Sequence, residues 1–462
     1  MTKNKNLNLD VKKYLLNNES KIKINSIDIC KGDVFVALAG SNTHGNDYIQ
    51  ESIFNGAKFI ITDKKFDENL KNEIIILVED VFNFLLSVAN YKRNLYKGIV
   101  IGITGSIGKT TLKENLKFII SQTSTVSASI QSYNNYLGII ISLININLSS
   151  NFAVFEMGTN NFKEIRNLTS IIMPSQVIIT NIFPVHLKNL KNTRNIAIEK
   201  SDIFNPEYNS NIELLIIPQN NIDEIYISKL AKKQKITKII TFGKNDGCDC
   251  YIKKINRIND SMSDAYINYE GIDYNFKIKN NQFQKISNIL ISLIISNYNN
   301  LGIDNSLTKN FKLIEGRGLE SKIFFKDRFI NLIDESYNAS PQTMKISVDY
   351  LNQIKIKNNQ KKVLILGDMK ELGVNEIKFH IEILKHVISL NINDVIICGK
   401  LMKSALNKLK KKNSRIKFMS DKKSILTYLE KTLNNEDILL VKGSNTSLTK
   451  NITMSLLKKG EN

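Results

Sequence analysis

Gly102-Ile103-Thr104-Gly105-Ser106-Ile107-Gly108-Lys109-Thr110-Thr111 is the stretch that decides the fold. An apolar run, Gly98 to Ile103, leads into it, and a run with helical spacing, Thr111 to Ile120, leaves it. Glycines let backbone N–H groups approach a polyphosphate, because no Cβ intervenes. A helix N-terminus behind them adds partial positive charge where phosphates would sit. Lys109 can reach the terminal phosphates, and the Thr110 hydroxyl can hold a magnesium ion. Gly105, Ser106, Gly108, Lys109, Thr110 and Thr111 are therefore candidates for binding ATP or GTP. The spacing departs from the common P-loop: Ile103 stands where a glycine is usual, so Gly105 opens the turn. A Gly/Ser turn that binds nothing is the plain alternative, but strand, glycines, lysine, threonine and helix all coincide here.

Outward from this loop, 462 residues are too many for one core and predict two to four domains. Hydrophobic content of 42% and charged content of 23% are ordinary for a globular protein. No apolar run reaches about 18 residues, so no membrane span is expected. Met1 to Asp10 is polar and lacks the apolar core of a secretory signal. The four cysteines, Cys30, Cys248, Cys250 and Cys398, are scattered, which argues against a zinc site or a disulfide framework and fits a reducing cytoplasm. A net charge of +20 invites a nucleic-acid reading. Yet Lys, Asn and Ile are abundant everywhere, the lysines gather only in short runs such as Lys410 to Lys412, and aromatics do not interleave with them. No nucleic-acid partner is expected.

The pattern predicts an α/β protein of three units. Residues 1–95 read as a small α/β domain, with strand candidates Val34–Leu38, Lys58–Thr62 and Ile74–Val78 and a helix over Val81–Tyr91. Residues 96–314 read as a parallel sheet covered by helices, with strands at Ile99–Thr104, Phe152–Glu156, Val177–Asn181 and Leu214–Ile217. Beyond about residue 240 the segments Ala265–Tyr269 and Tyr274–Ile278 alternate like antiparallel strands, followed by a helix over Ile286–Tyr298. Residues 315–462 read as a second doubly wound unit, with strands at Val363–Leu366, Val395–Cys398 and Ile438–Val441. The polar stretch Lys355–Lys362 reads as a surface connection.

Ligands of open parallel sheets bind beyond the C-terminal strand ends. Glu156 ends one strand and precedes Gly158, where a carboxylate can hold magnesium or its water shell. His186 follows another strand, past Pro184. Lys200 lies in the helical stretch Ile196–Phe204. Asn134 and Asn135 sit in Gln131-Ser132-Tyr133-Asn134-Asn135-Tyr136-Leu137-Gly138 and offer uncharged donors and acceptors. Each also has an ordinary reading: a solvated strand-end acid, an exposed loop histidine, a solvated lysine and an asparagine turn. Three clusters in the last unit, Asp334 to Pro341, Leu366 to Gly373 and Val441 to Ser444, share a strand-then-loop arrangement and favour a binding face.

Together these motifs resemble the Mur ligases over nearly the whole length. Thr104-Gly105-Ser106-x-Gly108-Lys109-Thr110 looks like the ATP loop of that family, which folylpolyglutamate synthases share. Ser336-Tyr337-Asn338-Ala339 and Gly367-Asp368-Met369-x-Glu371-Leu372-Gly373 look like the branch that adds D-alanyl-D-alanine. Lys31 to Leu38 and Val441 to Ser444 also resemble that branch, and the Asp-Asn-Pro-Arg motif of the neighbouring branch is not seen. The resemblance implies an N-terminal UDP-sugar domain (1–95), a central P-loop ATPase (96–314) and a C-terminal Rossmann-like domain (315–462). It implies ATP-driven amide formation through an acyl phosphate, between UDP-N-acetylmuramoyl-tripeptide and D-alanyl-D-alanine, with Mg2+, in the cytoplasm and as a monomer. It gives Glu156 and His186 as magnesium ligands and Lys200 as a carbamylated lysine supporting a second ion, so that Lys109, Lys200 and His186 carry the catalysis. It places Asn134 and Asn135 near the muramyl peptide, and Arg317, Asp334, Tyr337 and Asn338 on the nucleotide.

Two stretches depart from the family pattern. Near the uridine site the family often has Asp-Ser-Arg, where this chain has Asn25-Ser26-Ile27, leaving Ser26 as the matching contact. Near the adenine it often has Gly-Arg-His-Asn, where this chain has Gln282-Phe283-Gln284-Lys285, and only Asn288 matches. Rival readings are another amino-acid or glutamate ligase of the same superfamily, a nucleic-acid-dependent ATPase, and a catalytically silent binding module. The retained Lys109, Glu156 and His186 oppose the last.

Overall fold

The computed structural model describes residues 10–16, 21–40, 43–66, 74–234, 236–259, 262–279, 286–302, 311, 315–357, 359–409 and 413–458. Among these, three sheets follow one another along the chain. The first holds β1 (Ile22–Lys23), β2 (Val34–Val36), β3 (Phe59–Thr62) and β4 (Ile75–Leu77), all parallel and in chain order. Helix α1 (Val81–Leu95) follows it, started by the Asp80 side chain accepting from the Asn83 N–H.

The central sheet contains β5 (Ile99–Thr104), β6 (Val126–Ala128), β7 (Phe152–Glu156), β8 (Gln176–Ile179), β9 (Leu214–Pro218), β10 (Lys238–Gly243), β11 (Cys250–Arg257), β12 (Met262–Tyr269) and β13 (Ile272–Lys279). Its order is β13-β12-β11-β10-β9-β8-β5-β7-β6, parallel as far as β11 and antiparallel across the last two pairings. From β5 the chain first winds to one side, through β6 and β7, and then to the other. That reversal opens a crevice at the C-terminal end of β5, where the glycine loop lies. Covering helices include α2 (Lys109–Ile120), α3 (Tyr136–Ile144), α4 (Thr193–Ser201) and α5 (Ile286–Tyr298). Helix α2 begins at Lys109, two residues earlier than the apolar spacing indicated, because Gly108 supplies its N-cap with φ near 87°.

The third sheet orders β14 (Leu319–Phe325), β15 (Arg328–Glu335), β19 (Ile438–Lys442), β16 (Lys362–Leu366), β17 (Asp394–Ile397) and β18 (Ile416–Phe418), with β14 an antiparallel edge and the rest parallel. Helix α6 (Pro341–Gln353) follows β15, with proline at its first position and a Ser340–Thr343 capping box. The α/β class and the three-sheet plan expected from the sequence are what the chain adopts. Strand β15 is the apolar run expected ahead of Asp334, whereas its hairpin partner β14 is not expected from the sequence, since buried and exposed residues alternate along it instead of forming an apolar run. The Lys355–Lys362 connection is shorter than expected: Lys362 is buried and opens β16, its ammonium donating to the Asn352 carbonyl.

One apolar core joins the first sheet to the central one, through residues such as Val34, Ile61, Val88, Ile140 and Phe155. Polar contacts fix the same seam. The Asn145 side chain accepts from the Ile22 N–H at 2.7 Å and donates to the Ile22 carbonyl at 3.1 Å. Phe82 of α1 stacks on Tyr136 of α3 with centroids 5.5 Å apart. Lys92, fully buried on α1, donates to the carbonyls of Leu15 at 2.9 Å and Ile144 at 2.6 Å. Burial, with Lys21 nearby, pushes its ammonium down to about 8. Two helix-end carbonyls supply the negative ends that make a buried amine tolerable there.

Since the folded value lies below the unfolded one, the unfolded chain holds more protons between about pH 8 and 10.5, and Lys92 contributes more stability as pH rises through that window. Between pH 7.5 and 9.5 the wild type should therefore gain about 1–2 kcal/mol relative to Lys92→Met. Urea midpoints of both proteins at the two pH values check this, and an unchanged difference rejects it.

Candidate functional site

The loop after β5 is held by the loop after β8. The Ser106 N–H donates to the Asn181 carbonyl at 3.0 Å, and the Ile107 N–H to Asn181 Oδ1 at 2.9 Å. Asn181 Nδ2 and the Thr180 hydroxyl both donate to the Ile107 carbonyl, at 3.0 and 2.7 Å. The Ser106 hydroxyl donates to the Phe183 carbonyl at 3.0 Å and accepts from the Phe183 N–H at 2.9 Å. Gly105 has φ near 144°, and a Cβ there would lie 1.9 Å from Thr180 Oγ1. Glycine at 105 is thus required by both backbone and space. Thr180 and Asn181 escaped the sequence reading as loop partners, although their place just past an apolar strand was the available signal.

Lys109 Nζ donates to the Gly105 carbonyl at 2.8 Å, within the loop's own concavity. Burial holds its ammonium below the ordinary lysine value; Glu156 opposes that shift and Arg317 adds to it. The Thr110 hydroxyl donates to Glu156 Oε2 at 2.6 Å, and Asn134 Nδ2 donates to the other carboxylate oxygen at 2.7 Å. Glu156 is buried, so the solvated-acid reading does not describe it. Asn134 also accepts the Gly158 N–H at its carbonyl, 2.8 Å away, and a Cβ on Gly158 would stand 2.7 Å from Asn134 Oδ1. Asn135 serves as the turn reading expected: its side chain accepts from the Gly138 N–H at 2.8 Å and starts α3.

A cavity of about 1290 Å³ lies between the central and third sheets, and of the phosphate-loop candidates Gly105 and Thr110 are not among the residues that line it. Ser106, Gly108, Lys109, Thr111, Asn134, Asn135, Glu156, His186, Asn288, Arg317, Tyr337 and Asn338 all border it. Arg317 stacks on Tyr337, its guanidinium carbon 4.3 Å from the ring centroid, and donates to Ser132 Oγ at 3.3 Å. The third unit thereby touches the loop that carries Asn134. His186, in left-handed backbone at φ near 52°, meets Glu371 through Nδ1 across the same gap, and the Lys188 N–H donates to the Glu371 carbonyl at 3.0 Å. The hydrogen bond from His186 holds the Glu371 carboxyl below the usual range. In the sequence Glu371 is marked only by its place in the Gly367–Gly373 motif, and no local signal reveals a partner 185 residues away.

Three expected site residues lie elsewhere. Asp334 does not border the cavity: its carboxylate accepts from the Gly316 N–H at 2.9 Å, the Ser336 N–H at 3.0 Å and the Ser336 hydroxyl at 2.7 Å. It shapes the turn that presents Arg317. Ser26 sits in the first unit, buried, its hydroxyl donating to Glu51 Oε2 at 2.6 Å. Lys200, on α4, is 1% exposed and therefore no solvated lysine. Burial, reinforced by Lys109 and opposed by Glu199, lowers its ammonium well below the ordinary value. The Gln282–Lys285 stretch and Lys410–Lys412 lie outside the described residues.

Among the described residues no three His, Cys, Asp or Glu side chains converge as a metal cluster. Thr110 Oγ1 and Glu156 Oε2 nonetheless form a hard-oxygen pair beside the phosphate loop, and magnesium needs only one or two protein donors when phosphate and water complete its shell. The donor set fits that ion.

The chain matches the Mur ligase middle domain over residues 103–296, the Mur ligase glutamate ligase domain over 325–445 and the Mur ligase family catalytic domain over 20–92. It is 32% identical to UDP-N-acetylmuramoyl-tripeptide–D-alanyl-D-alanine ligase of Rickettsia prowazekii, over 92% of this chain and 93% of that one. The protein of the same name from Bacillus subtilis is 24% identical, over 92% and 90%. Among solved structures, MurF ligase from Thermotoga maritima in complex with ADP superposes with a TM-score of 0.77 at 24% identity, covering 97% of this chain and 99% of that one. MurF from Acinetobacter baumannii gives 0.77 at 22%, covering 95% and 93%.

Gly105→Ala tests the loop geometry. It should weaken nucleotide binding by at least about 10-fold while the far-ultraviolet circular dichroism stays native, because the added carbon displaces Thr180 from the Ile107 carbonyl. Titration with a fluorescent ADP analogue reads this directly, and an unchanged Kd would contradict it.

Proposed function

The chain belongs to the Mur ligase family, and from that membership we infer that it is the ATP-dependent ligase joining D-alanyl-D-alanine to the C-terminal carboxylate of UDP-N-acetylmuramoyl-tripeptide in peptidoglycan synthesis. The observation that carries this reading is the single cavity into which the ATP loop, the Asn134 loop and the third unit's Arg317–Tyr337 pair all open. We assign residues 1–95 to the UDP-sugar, 96–314 to ATP and 315–462 to the incoming dipeptide and domain closure. The separate sheets of those segments support that division. Among the described residues no helix is long and apolar enough to cross a membrane. A cytoplasmic monomer is our reading.

A carboxylate is a poor electrophile, so it must first gain a leaving group. In the proposed first step its oxygen attacks the γ-phosphorus of ATP, the bond from that phosphorus to the ADP oxygen breaks, and an acyl phosphate forms. The dipeptide's neutral amine then attacks the acyl carbon, the carbon–oxygen bond to phosphate breaks, and the nitrogen's proton passes to solvent or to the departing phosphate. Lys109 would turn from the Gly105 carbonyl to the γ-phosphate oxygens and offset the charge that builds there. Backbone N–H groups of the loop and the start of α2 would cradle the β-phosphate. Arg317 and Tyr337, brought in by the third unit, would hold the nucleotide's other side, with Asn338 beside them and Asn288 at the base. Asp334 would act indirectly, by fixing the turn before Arg317. Asn134 and Asn135 would face the muramyl peptide, and Ser26 the uridine.

Thr110, Glu156 and His186 would hold Mg2+, which when bound screens the phosphate charge. Lys200 suits carbamylation: a buried lysine whose ammonium form is disfavoured presents the neutral amine that adds to CO2, releasing a proton. The resulting carbamate would supply a second anionic site.

Phosphate release should require UDP-N-acetylmuramoyl-tripeptide and D-alanyl-D-alanine together, and ADP formation that ignores the dipeptide would reject the assignment. Lys109→Ala should lower kcat at least about 10²-fold with native circular dichroism. Lys200→Ala should regain part of its activity when short carboxylates are added, and an absence of rescue counts against the carbamate.

A further inference from the structure

Lys113 lies one turn beyond Lys109 on α2 and is 0% exposed. Its ammonium donates to the Ser129 carbonyl at 2.6 Å and to the Gln131 carbonyl, and lies 2.9 Å from Glu114 Oε1. Three N–H donors thus meet three acceptors, which is what a buried cation needs to persist. Two of those acceptors belong to the loop that enters the cavity. Ser129 is itself stitched to β7: its N–H donates to the Val154 carbonyl at 3.0 Å, and its hydroxyl accepts from the Glu156 N–H at 3.3 Å. Gln131 has φ near 43°, a left-handed conformation that is unfavourable for a non-glycine residue and persists only where the surroundings impose it. Lys113 grips the carbonyl at this strained corner. Directly beyond it come Ser132, which meets Thr110 and Arg317, and Asn134, which meets Glu156.

We propose that Lys113 is a positioning residue: it fastens the substrate loop, Ser129 to Asn135, to the helix that carries the phosphate loop, so that the acid to be activated and the γ-phosphate are held by one rigid piece. The group touches neither reactant itself. It sets where Ser132 and Asn134 stand, and with them the acid substrate, while Lys109 and the glycines keep their own contacts. The catalytic part of this inference rests on the ligase reading above; the structural part does not.

The test is Lys113→Met in the full-length protein, with three measurements. Amide hydrogen exchange over residues 129–135 should accelerate about 10-fold or more while residues 104–110 stay unchanged. The KM for UDP-N-acetylmuramoyl-tripeptide should rise about 10-fold, with the Kd for ADP within about 3-fold of wild type. Should Lys113→Met not fold, Lys113→Gln retains two N–H donors and should give the same pattern at smaller amplitude. Unchanged exchange at 129–135 overturns the proposal. So does equal acceleration at 104–110, or an ADP Kd that rises in step with the KM, since either would mean that Lys113 merely supports α2. A wild-type protein that fails to ligate would refute the functional reading while leaving the exchange result to judge the loop.

Discussion

Everything at this site depends on a buried carboxylate that has no charged partner in direct contact among the described residues. Glu156 ends β7 inside the protein and is held by a hydroxyl on one oxygen and an amide on the other. Removing a carboxylate from water is costly unless its lone pairs are satisfied. The two donors come from different elements, Thr110 from the start of α2 and Asn134 from the loop before α3. Helix α2, the central sheet and the loop that carries Asn134 therefore cannot shift independently.

The rest of the architecture protects that junction. The winding reversal at β5 leaves a crevice without which the glycine loop would have no room for phosphate. Thr180 and Asn181 complete the loop from the neighbouring strand, so its shape exists before any ligand arrives. The seam at Asn145 and Lys92 then locks the first unit to the central one through main-chain carbonyls. The third unit is attached differently: it meets the central one across the cavity through side chains such as Arg317–Ser132 and His186–Glu371. A mainly polar boundary around a large cavity can open and close at lower cost than a packed apolar one. That asymmetry suits an enzyme that must admit three substrates and then exclude water.

Sequence reading succeeded where a local pattern has one physical meaning. Short, β-branched and largely apolar runs such as Ile99–Thr104 and Phe152–Glu156 fit buried parallel strands between helices, and the structure has them with those bounds. Helix Ile286–Tyr298 is likewise as expected. The edge strand β14 is not legible, because a strand half in water carries a weaker pattern. Lys362 was assigned to the surface because lysine usually is; its stem and ammonium are instead accommodated beneath the Asn352 carbonyl.

By itself the sequence determined the chemistry on offer: a glycine-lined turn, a lysine and threonine behind it, strand-end acids and an α/β chain of three units. These are local properties, set by backbone freedom, side-chain type and the period of apolar residues. Only the tertiary structure decided which of those groups meet. It placed Glu156 on Thr110, turned Asp334 away from the cavity into a loop brace, buried Lys200, and joined His186 to Glu371. Contacts between residues tens or hundreds apart follow from how sheets wind and units pack, and no stretch of one-dimensional pattern encodes that distance.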